Sequence, residues 1–305
     1  SAFQYDMATQ GKRQVGSTIK PYLYTLAMEE GLEPCSTVPN TQPTFVLPDG
    51  KVWAPRNDSK KHIGEMVTLK WGLSQSNNWI SAHLIREFGP QALVKLMHSF
   101  GIKSYLDPVV SLCLGPAEVS VAEMVDAYTT FVNKGIRVEP MYVTRIEDND
   151  GNVLATFSPR MNEIISEETS YKMLNMLQAV VNEGTGTRLR RIYKLTGEIG
   201  GKTGTTQNNS DGWFIGVTPE LVSGAWVGGE DRSIHFDRMA VGQGASMALP
   251  IWALYMQKLY ADPTLGFVDG THFDIPQAYK ENAKCDENTT NSTSSASSDD
   301  IFGEF

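Results

Sequence analysis

The chain contains 305 residues, of which 41% are hydrophobic and 20% are charged, and its formal net charge is −9. This length and apolar content suffice for a buried core in one large domain or two small ones. The acidic balance, without any Lys/Arg-rich block, argues against a nucleic-acid partner, which needs a basic face. No apolar run of about 18 residues or more is present, so we expect any membrane anchor to lie outside this sequence.

The cysteines and histidines form no metal-binding pattern. Cys35, Cys113 and Cys285 are too few and too widely spaced for a disulfide framework or a zinc site, but they leave one bridge open. The five histidines are scattered along the chain. We therefore expect neither a metal ion nor another cofactor.

The N-terminal part of the chain is predicted to be mainly helical. A helical pattern begins at Ser17 and ends at Gly31, and residues 34–62, rich in Pro, Asn, Asp and Thr, predict a loop with at most short strands. Ser120 and Glu123 have the spacing of a capping box. Helices are predicted over 66–75, 78–88, 90–100 and 120–135.

The C-terminal part is predicted to contain most of the strands. The turn sequence Asp-Asn-Asp-Gly at 148–151 predicts a hairpin between strands at 142–146 and 153–157. Further elements are predicted along the chain: a helix over 167–183, antiparallel strands over 200–206, 212–217 and 221–227, and a helix over 245–261.

This order of elements predicts an α+β fold, in which an antiparallel sheet is layered with helices and carries a helical subdomain. We assign residues 1–282 to one domain, with the helical lobe inserted at roughly 32–140. Residues 283–305, rich in Asn, Ser, Thr and Asp, are predicted to form a flexible polar tail.

The first candidate motif is Ser17-Thr18-Ile19-Lys20, at the start of the first long helix. At this spacing the two polar side chains share a helix face, so Lys20 can take a proton from Ser17. Lysine serves as a base only if burial or a second cation lowers its pKa from about 10.4. The free N–H groups of the helix start suit the oxyanion that attack by Ser17 creates.

Two further motifs follow. Ser76-Asn77-Asn78 lies at a joint between predicted helices, where Ser76 can relay a proton and Asn78 can bind a substrate amide or orient Lys20. Lys202-Thr203-Gly204-Thr205 lies on a predicted strand, where Lys202 and Thr203 suit a terminal carboxylate and Gly204 leaves room for a substrate backbone. A phosphate-binding P-loop is excluded there, because the required upstream glycine is Thr196.

Each motif alone is common, but the three in this order mark class A β-lactamases and penicillin-binding proteins. The chain resembles the transpeptidase domain of class A, bifunctional penicillin-binding proteins over roughly residues 3–260. The resemblance is carried by residues 9–21, 68–81, 114–135 and 200–216, the last with Asp-Gly-Trp-Phe at 211–214.

The resemblance implies a serine β-lactamase/D,D-transpeptidase-like fold and a function in cross-linking peptidoglycan. The resemblance implies that Ser17 is the nucleophile and Lys20 the base. It also implies that Ser76 and Asn78 support proton transfer and bind the substrate amide. Lys202 and Thr203 would hold the substrate carboxylate, and the N–H groups of Ser17 and Thr205 would form the oxyanion hole. The expected partners are stem peptides ending in D-Ala-D-Ala, and β-lactams that acylate the same serine.

The resemblance also implies features outside this chain. The family carries a membrane anchor and a glycosyltransferase domain upstream, and it works on the extracytoplasmic (periplasmic) face of the inner membrane. Its sheet takes strands from before the nucleophile helix, whereas only residues 1–16 precede Ser17 here. Either those strands are missing from this sequence or its numbering starts late.

Several related functions share these motifs. A class A β-lactamase needs a Glu-x-x-Leu-Asn segment to activate water, and this segment is absent. A D,D-carboxypeptidase or endopeptidase and a β-lactam sensor domain remain as alternatives. A catalytically inactive scaffold is disfavoured, because it has no physical need for both lysines.

Overall fold

The computed structural model of the protein describes residues 5–282 and 284–285. Its α-helices are α1 Lys20–Glu29, α2 Leu69–Ser74, α3 Asn78–Phe88, α4 Pro90–Ser99, α5 Val121–Val132, α6 Glu167–Asn182, α7 Arg188–Arg191, α8 Met239–Gly242, α9 Gly244–Ala261 and α10 Gln277–Asn282. Short 3-10 helices occur at Gly16–Ile19, Val110–Leu114, Gln207–Asn209 and Pro263–Leu265.

The strands are β1 Lys12–Gln14, β2 Thr37–Pro39, β3 Phe45–Val46, β4 Val52–Trp53, β5 Met66–Thr68, β6 Glu118–Ser120, β7 Ile136–Val138, β8 Arg145–Glu147, β9 Val153–Thr156, β10 Met161–Glu163, β11 Gly200–Thr205, β12 Asp211–Val217 and β13 Val222–Gly228. The described part of the chain thus combines helices with antiparallel strand pairs, which confirms the predicted α+β class.

The largest sheet is the antiparallel meander β11-β12-β13, as predicted. Every residue of the central strand β12 is buried, because helices cover both faces of the sheet. Helix α9 packs on β12 and β13, and α6 packs on β11. Within the described residues, strand β11 has no strand partner on its outer side, and this open edge forms one wall of the site described below.

Helix α1 runs through the main hydrophobic core. Tyr22 is fully buried and makes edge contacts with Phe100 and Tyr128 at ring-centroid distances of 5.2 and 5.8 Å. Aromatic pairs in this geometry contribute about 0.5–1.5 kcal/mol beyond their buried area. Because both partners lie within residues 32–140, the predicted helical lobe, these contacts hold α1 against that part of the chain.

Several predicted helix boundaries are correct, but the end predicted at 135 and the start predicted at 66 are each wrong by three residues. Helix α5 begins after Ser120, whose hydroxyl accepts from the Glu123 N–H while the Glu123 carboxylate accepts from the Ser120 N–H. The helix predicted over 66–75 begins only at Leu69. The Thr68 hydroxyl caps it by accepting from the Trp71 N–H, and Met66–Thr68 pairs with Thr37–Pro39 as a strand.

The C-terminal end of the described chain is fastened to the helical lobe. Cys285, within the segment predicted as a polar tail, forms a disulfide with Cys35. The rest of that tail, residues 283 and 286–305, lies outside the described residues. No helix in the described part is both long and apolar enough to cross a membrane.

Candidate active site

Ser17 is positioned by a close approach of two glycine backbones. Strand β1 pairs with β6, and the Gly16 N–H donates to the Gly115 carbonyl at 2.9 Å. Gly16 and Gly115 have φ of +53° and +76°, in the left-handed region that favours glycine. A Cβ on Gly115 would lie only 1.9 Å from the Gly16 carbonyl oxygen. The chain therefore enters the 3-10 helix that contains Ser17 through a contact that only glycine at position 115 permits.

The open edge of β11 faces this helix start. The Thr206 N–H donates to the Asp211 carbonyl at 3.2 Å, so alternate residues of β11 direct their backbone groups away from β12. Thr205 is one of these outward-facing residues. A Cβ on Gly16 would meet the Thr205 oxygen at 2.6 Å and its nitrogen at 3.1 Å. The Thr205 N–H thus lies beside Ser17, whose own N–H is in the first turn of a helix and has no intrahelical partner.

Ser76 is the residue on which both lysines converge. It has φ of +55°, a strained conformation for serine, in the joint between α2 and α3. Lys20 Nζ donates to the Ser76 carbonyl at 2.6 Å and lies 3.3 Å from Ser76 Oγ. Lys202 Nζ donates to the same hydroxyl at 2.9 Å. With one lone pair occupied by the Lys202 amine, the Ser76 hydroxyl keeps its own proton to donate to another group.

Asn78 contacts Lys20 through its side-chain oxygen. Lys20 Nζ donates to Asn78 Oδ1 at 2.6 Å. The amide nitrogen of Asn78 donates to the Arg56 carbonyl at 2.7 Å, which fixes the orientation of the amide. Two short bonds to oxygens that cannot donate occupy both N–H groups of a neutral Lys20 amine. Its lone pair is then left for another hydrogen, such as that of Ser17.

Burial changes the acid–base properties of both lysines, whose side chains are fully buried. Burial lowers the pKa of Lys20 to about 7, against smaller raising effects of Cys113 and Asp58. For Lys202, burial and then the nearby charge of Lys20 lower the pKa well below its usual value. These shifts favour neutral amines. They suit Lys20 as a base, and they weaken the charge that we expected Lys202 to offer a carboxylate.

The structure brings the three predicted motifs together, although one predicted contact is absent. Lys20 Nζ bonds to Ser76 and Asn78, and the Ser17 hydroxyl makes no hydrogen bond within residues 5–282 and 284–285. The Ser17 hydroxyl is therefore available to a ligand.

Gly204 lies close to the Ser17 segment. A Cβ there would meet the Val15 oxygen at 2.7 Å and Thr18 Cγ2 at 2.9 Å, so the glycine makes room for the Ser17 segment of the protein itself. The predicted role of Gly204 beside a substrate backbone stays a prediction.

Two groups near the site lie outside the three motifs. The Thr185 hydroxyl lies 2.7 Å from the Thr203 hydroxyl, within the Gly-Thr-Gly-Thr run that we interpreted only as a turn. Asp211 is fully buried at the start of β12 and accepts from Arg13 Nε at 2.8 Å and Trp226 Nε1 at 3.0 Å. A buried carboxylate is retained only with such partners, but no local pattern links these distant residues.

The comparisons with known proteins agree on one family. The family model "Penicillin binding protein transpeptidase domain" matches residues 3–224. The chain is 34% identical over 255 residues to penicillin-binding protein 1A of Aquifex aeolicus, covering 83% of this chain and 34% of that protein. With penicillin-binding protein 1A of Neisseria meningitidis the identity is 32% over 262 residues, covering 83% and 32%. The chain thus spans about a third of the length of these curated relatives.

Solved structures show the same fold. The crystal structure of penicillin-binding protein 1A from Haemophilus influenzae matches with a TM-score of 0.76 and 29% identity, covering 85% of this chain and 44% of that one. The fold is also similar to that of PonA1 from Mycobacterium tuberculosis, with a TM-score of 0.75, 24% identity, and coverage of 90% and 74%. The chain belongs to the penicillin-binding protein transpeptidase domain family.

Proposed function

We propose that this domain is a D,D-transpeptidase that cross-links peptidoglycan through an acyl-serine intermediate. The observation that carries the proposal is the convergence of two buried lysines, Lys20 and Lys202, on the Ser76 hydroxyl beside the Ser17 helix. An ordinary core does not bury two lysines together without a carboxylate partner, because the desolvation of each charge is costly.

In the first half-reaction, Ser17 Oγ attacks the carbonyl carbon of the penultimate D-alanine, and its proton passes to Lys20 Nζ. The N–H groups of Ser17 and Thr205 stabilise the oxyanion, a contribution of about 2.7–4 kcal/mol for one donor in enzymes of this kind. The bond to the terminal D-alanine breaks as its nitrogen receives a proton through Ser76. The Thr203 hydroxyl holds the carboxylate of that D-alanine, beside Lys202.

In the second half-reaction, an amine of a neighbouring strand attacks the Ser17 ester. The amine loses a proton, the new amide forms, and the Ser17 hydroxyl is restored. A β-lactam follows only the first half, because its cleaved amide nitrogen stays attached to the acyl group and blocks the acceptor. The absence of a Glu-x-x-Leu-Asn segment supports a long-lived adduct.

The compartment follows from the same proposal. Peptidoglycan lies outside the cytoplasmic membrane, and the disulfide between Cys35 and Cys285 suits an oxidising environment such as the periplasm. We propose that a membrane anchor and a glycosyltransferase domain precede this domain in the full-length protein, as in the family.

The test is an aminolysis assay with a peptide ending in D-Ala-D-Ala and a D-amino acid as acceptor. We expect release of D-alanine together with the exchanged peptide, and neither product with Ser17→Ala. D-Alanine release with only the shortened peptide would favour a carboxypeptidase. A stable penicillin adduct without any peptide turnover would favour a sensor, and rapid release of hydrolysed penicillin would favour a β-lactamase.

A further inference from the structure

We propose that Thr185 is a positioning residue of the carboxylate subsite, which it serves by orienting the hydroxyl of Thr203. The inference rests on the proposed function, because the ligand is the C-terminal carboxylate of the donor peptide or of a β-lactam. It adds to the site a residue from a turn that none of the three motifs contains.

One of the two hydroxyl protons of Thr185 and Thr203 remains free to bind a ligand. Thr185 Oγ1 and Thr203 Oγ1 lie 2.7 Å apart, so one hydroxyl donates to the other. Only the accepting hydroxyl keeps a free proton. When Thr185 donates, the free proton belongs to Thr203, and it can form a charge-assisted bond to a carboxylate oxygen. Without Thr185, the Thr203 hydroxyl rotates freely and must be ordered when the ligand binds.

The turn that carries Thr185 is held against the opposite wall of the site. The Thr185 N–H donates to the Ser74 carbonyl at 3.1 Å, two residues before Ser76. A Cβ on Gly184 would lie 2.1 Å from the same Ser74 oxygen, so glycine is needed for this approach. The turn therefore links the end of α2, which leads to Ser76, to Thr203 on β11.

A second anchor fixes the same turn from the other side. Arg188 Nη1 donates to the Ala245 carbonyl at 2.8 Å and to Ser246 Oγ at 2.9 Å, at the start of α9. The Gly244 N–H next to them donates to Thr205 Oγ1 at 3.0 Å. The turn is thus fixed by contacts with α2, β11 and α9, which gives the Thr185 hydroxyl a defined position.

The charge of the site makes hydroxyl donors important. The pKa of Lys202 is lowered by its burial and by Lys20, and its nitrogen already donates to Ser76 Oγ at 2.9 Å and to the Thr203 carbonyl at 3.0 Å. This lysine therefore has little charge and few free donors for a carboxylate. Hydroxyls whose protons are already directed at the ligand then carry a larger share of carboxylate recognition. The Thr185 hydroxyl can therefore strengthen carboxylate recognition by orienting the hydroxyl of Thr203.

The experiment compares Thr185→Val with Thr185→Ser in the acylation of Ser17 by a penicillin and by its methyl ester. Valine keeps the shape of threonine and lacks the hydroxyl, whereas serine keeps the hydroxyl. For the carboxylate drug, we expect the second-order acylation rate to fall about tenfold with valine and to stay within about twofold with serine. For the neutral ester, we expect slow acylation of the wild-type protein and the same acylation rate for Thr185→Val.

Other outcomes overturn the inference in distinguishable ways. If Thr185→Val slowed acylation equally with the drug and with its ester, Thr185 would only hold the two walls of the site together. If Thr185→Val left both acylation rates unchanged, Thr185 would have no role in acylation. If serine fails to restore the rate while unfolding midpoints match, the hydroxyl is not the active feature. A wild-type protein without a Ser17-dependent adduct would overturn the proposed function, and this inference with it.

Discussion

At the scale of single residues, the burial of the Lys20 and Lys202 amines determines the acid–base properties of the site. Lys20 is fully buried, its nitrogen bonds to two carbonyl-type oxygens at 2.6 Å, and burial lowers its pKa to about 7. Because Lys20 is buried with oxygen acceptors and no carboxylate partner, we expect it to act as a base near neutral pH and not as a structural ion pair.

The acylation rate should therefore rise with pH. Lys20 accepts the Ser17 proton only as the free amine, and the fraction of free amine increases as pH passes upward through about 7. We expect the second-order rate of penicillin acylation to increase about tenfold per pH unit below this value and to level off above it.

The measurement is stopped-flow acylation between pH 5.5 and 8.5, with unfolding midpoints at each pH as the control for folding. The second-order rate reports the free enzyme, so the profile reflects Lys20 before the drug binds. A rate that is flat or falls across this range would contradict the role of Lys20 as the base.

Ser76 and Gly204 show what motif spacing does and does not predict at this scale. The motifs identified which residues meet, because residue type and order are visible in the sequence. The positive φ of Ser76 and the packing of Gly204 on Val15 depend on neighbours that are distant along the chain. No local pattern contains that information.

At the scale of elements, the nucleophile helix is placed by a strand pair and a glycine contact. Strand β1 pairs with β6, and Gly115 lies directly against the Gly16 backbone. Sequence periodicity predicted the long helices and the β11-β12-β13 meander, since those have strong repeating patterns. It missed β1 and β6, because three-residue strands carry almost no periodic signal.

The contact at Gly115 can be tested with alanine. Gly115→Ala would place a methyl group 1.9 Å from the Gly16 oxygen, so the backbone must shift. We expect a loss of more than about 3 kcal/mol in the free energy of unfolding, together with slower acylation as Ser17 moves. Denaturant unfolding and the penicillin acylation rate measure the two effects.

Gly31→Ala is the matched control. Gly31 also has a positive φ, +88°, but a Cβ there has no atom within 4 Å. This variant reports backbone strain alone and should cost about 1–2 kcal/mol without changing acylation. Equal losses in both variants would show that the close contact at Gly115 contributes nothing.

At the scale of the whole molecule, a disulfide connects the helical lobe to the C-terminal segment. Cys35 and Cys285 are separated by 250 residues, and α10 just before Cys285 packs on α6 through Tyr279 and Tyr171. The number of cysteines alone could not predict this disulfide, because three cysteines allow several pairings. Which pair forms depends on where the fold brings the C-terminal segment close to the rest of the chain.

Reduction of this disulfide should destabilise the domain. A bridge limits the freedom of the unfolded chain, so we expect a loss of about 2–4 kcal/mol in the free energy of unfolding when dithiothreitol is added. Chemical denaturation with and without the reductant measures it, and Cys285→Ser provides the control, since it should have the reduced stability and no response. An unchanged midpoint on reduction of the wild-type protein would contradict the account.

Peptide mapping after acylation tests whether Ser17 is the nucleophile of this site. The purified domain is incubated with a penicillin, digested, and analysed by mass spectrometry beside Ser17→Ala. We predict one adduct per chain, on the peptide that contains Ser17, persisting for hours and absent from the variant. An adduct on Ser76 or elsewhere, or one that survives in Ser17→Ala, would contradict the mechanism.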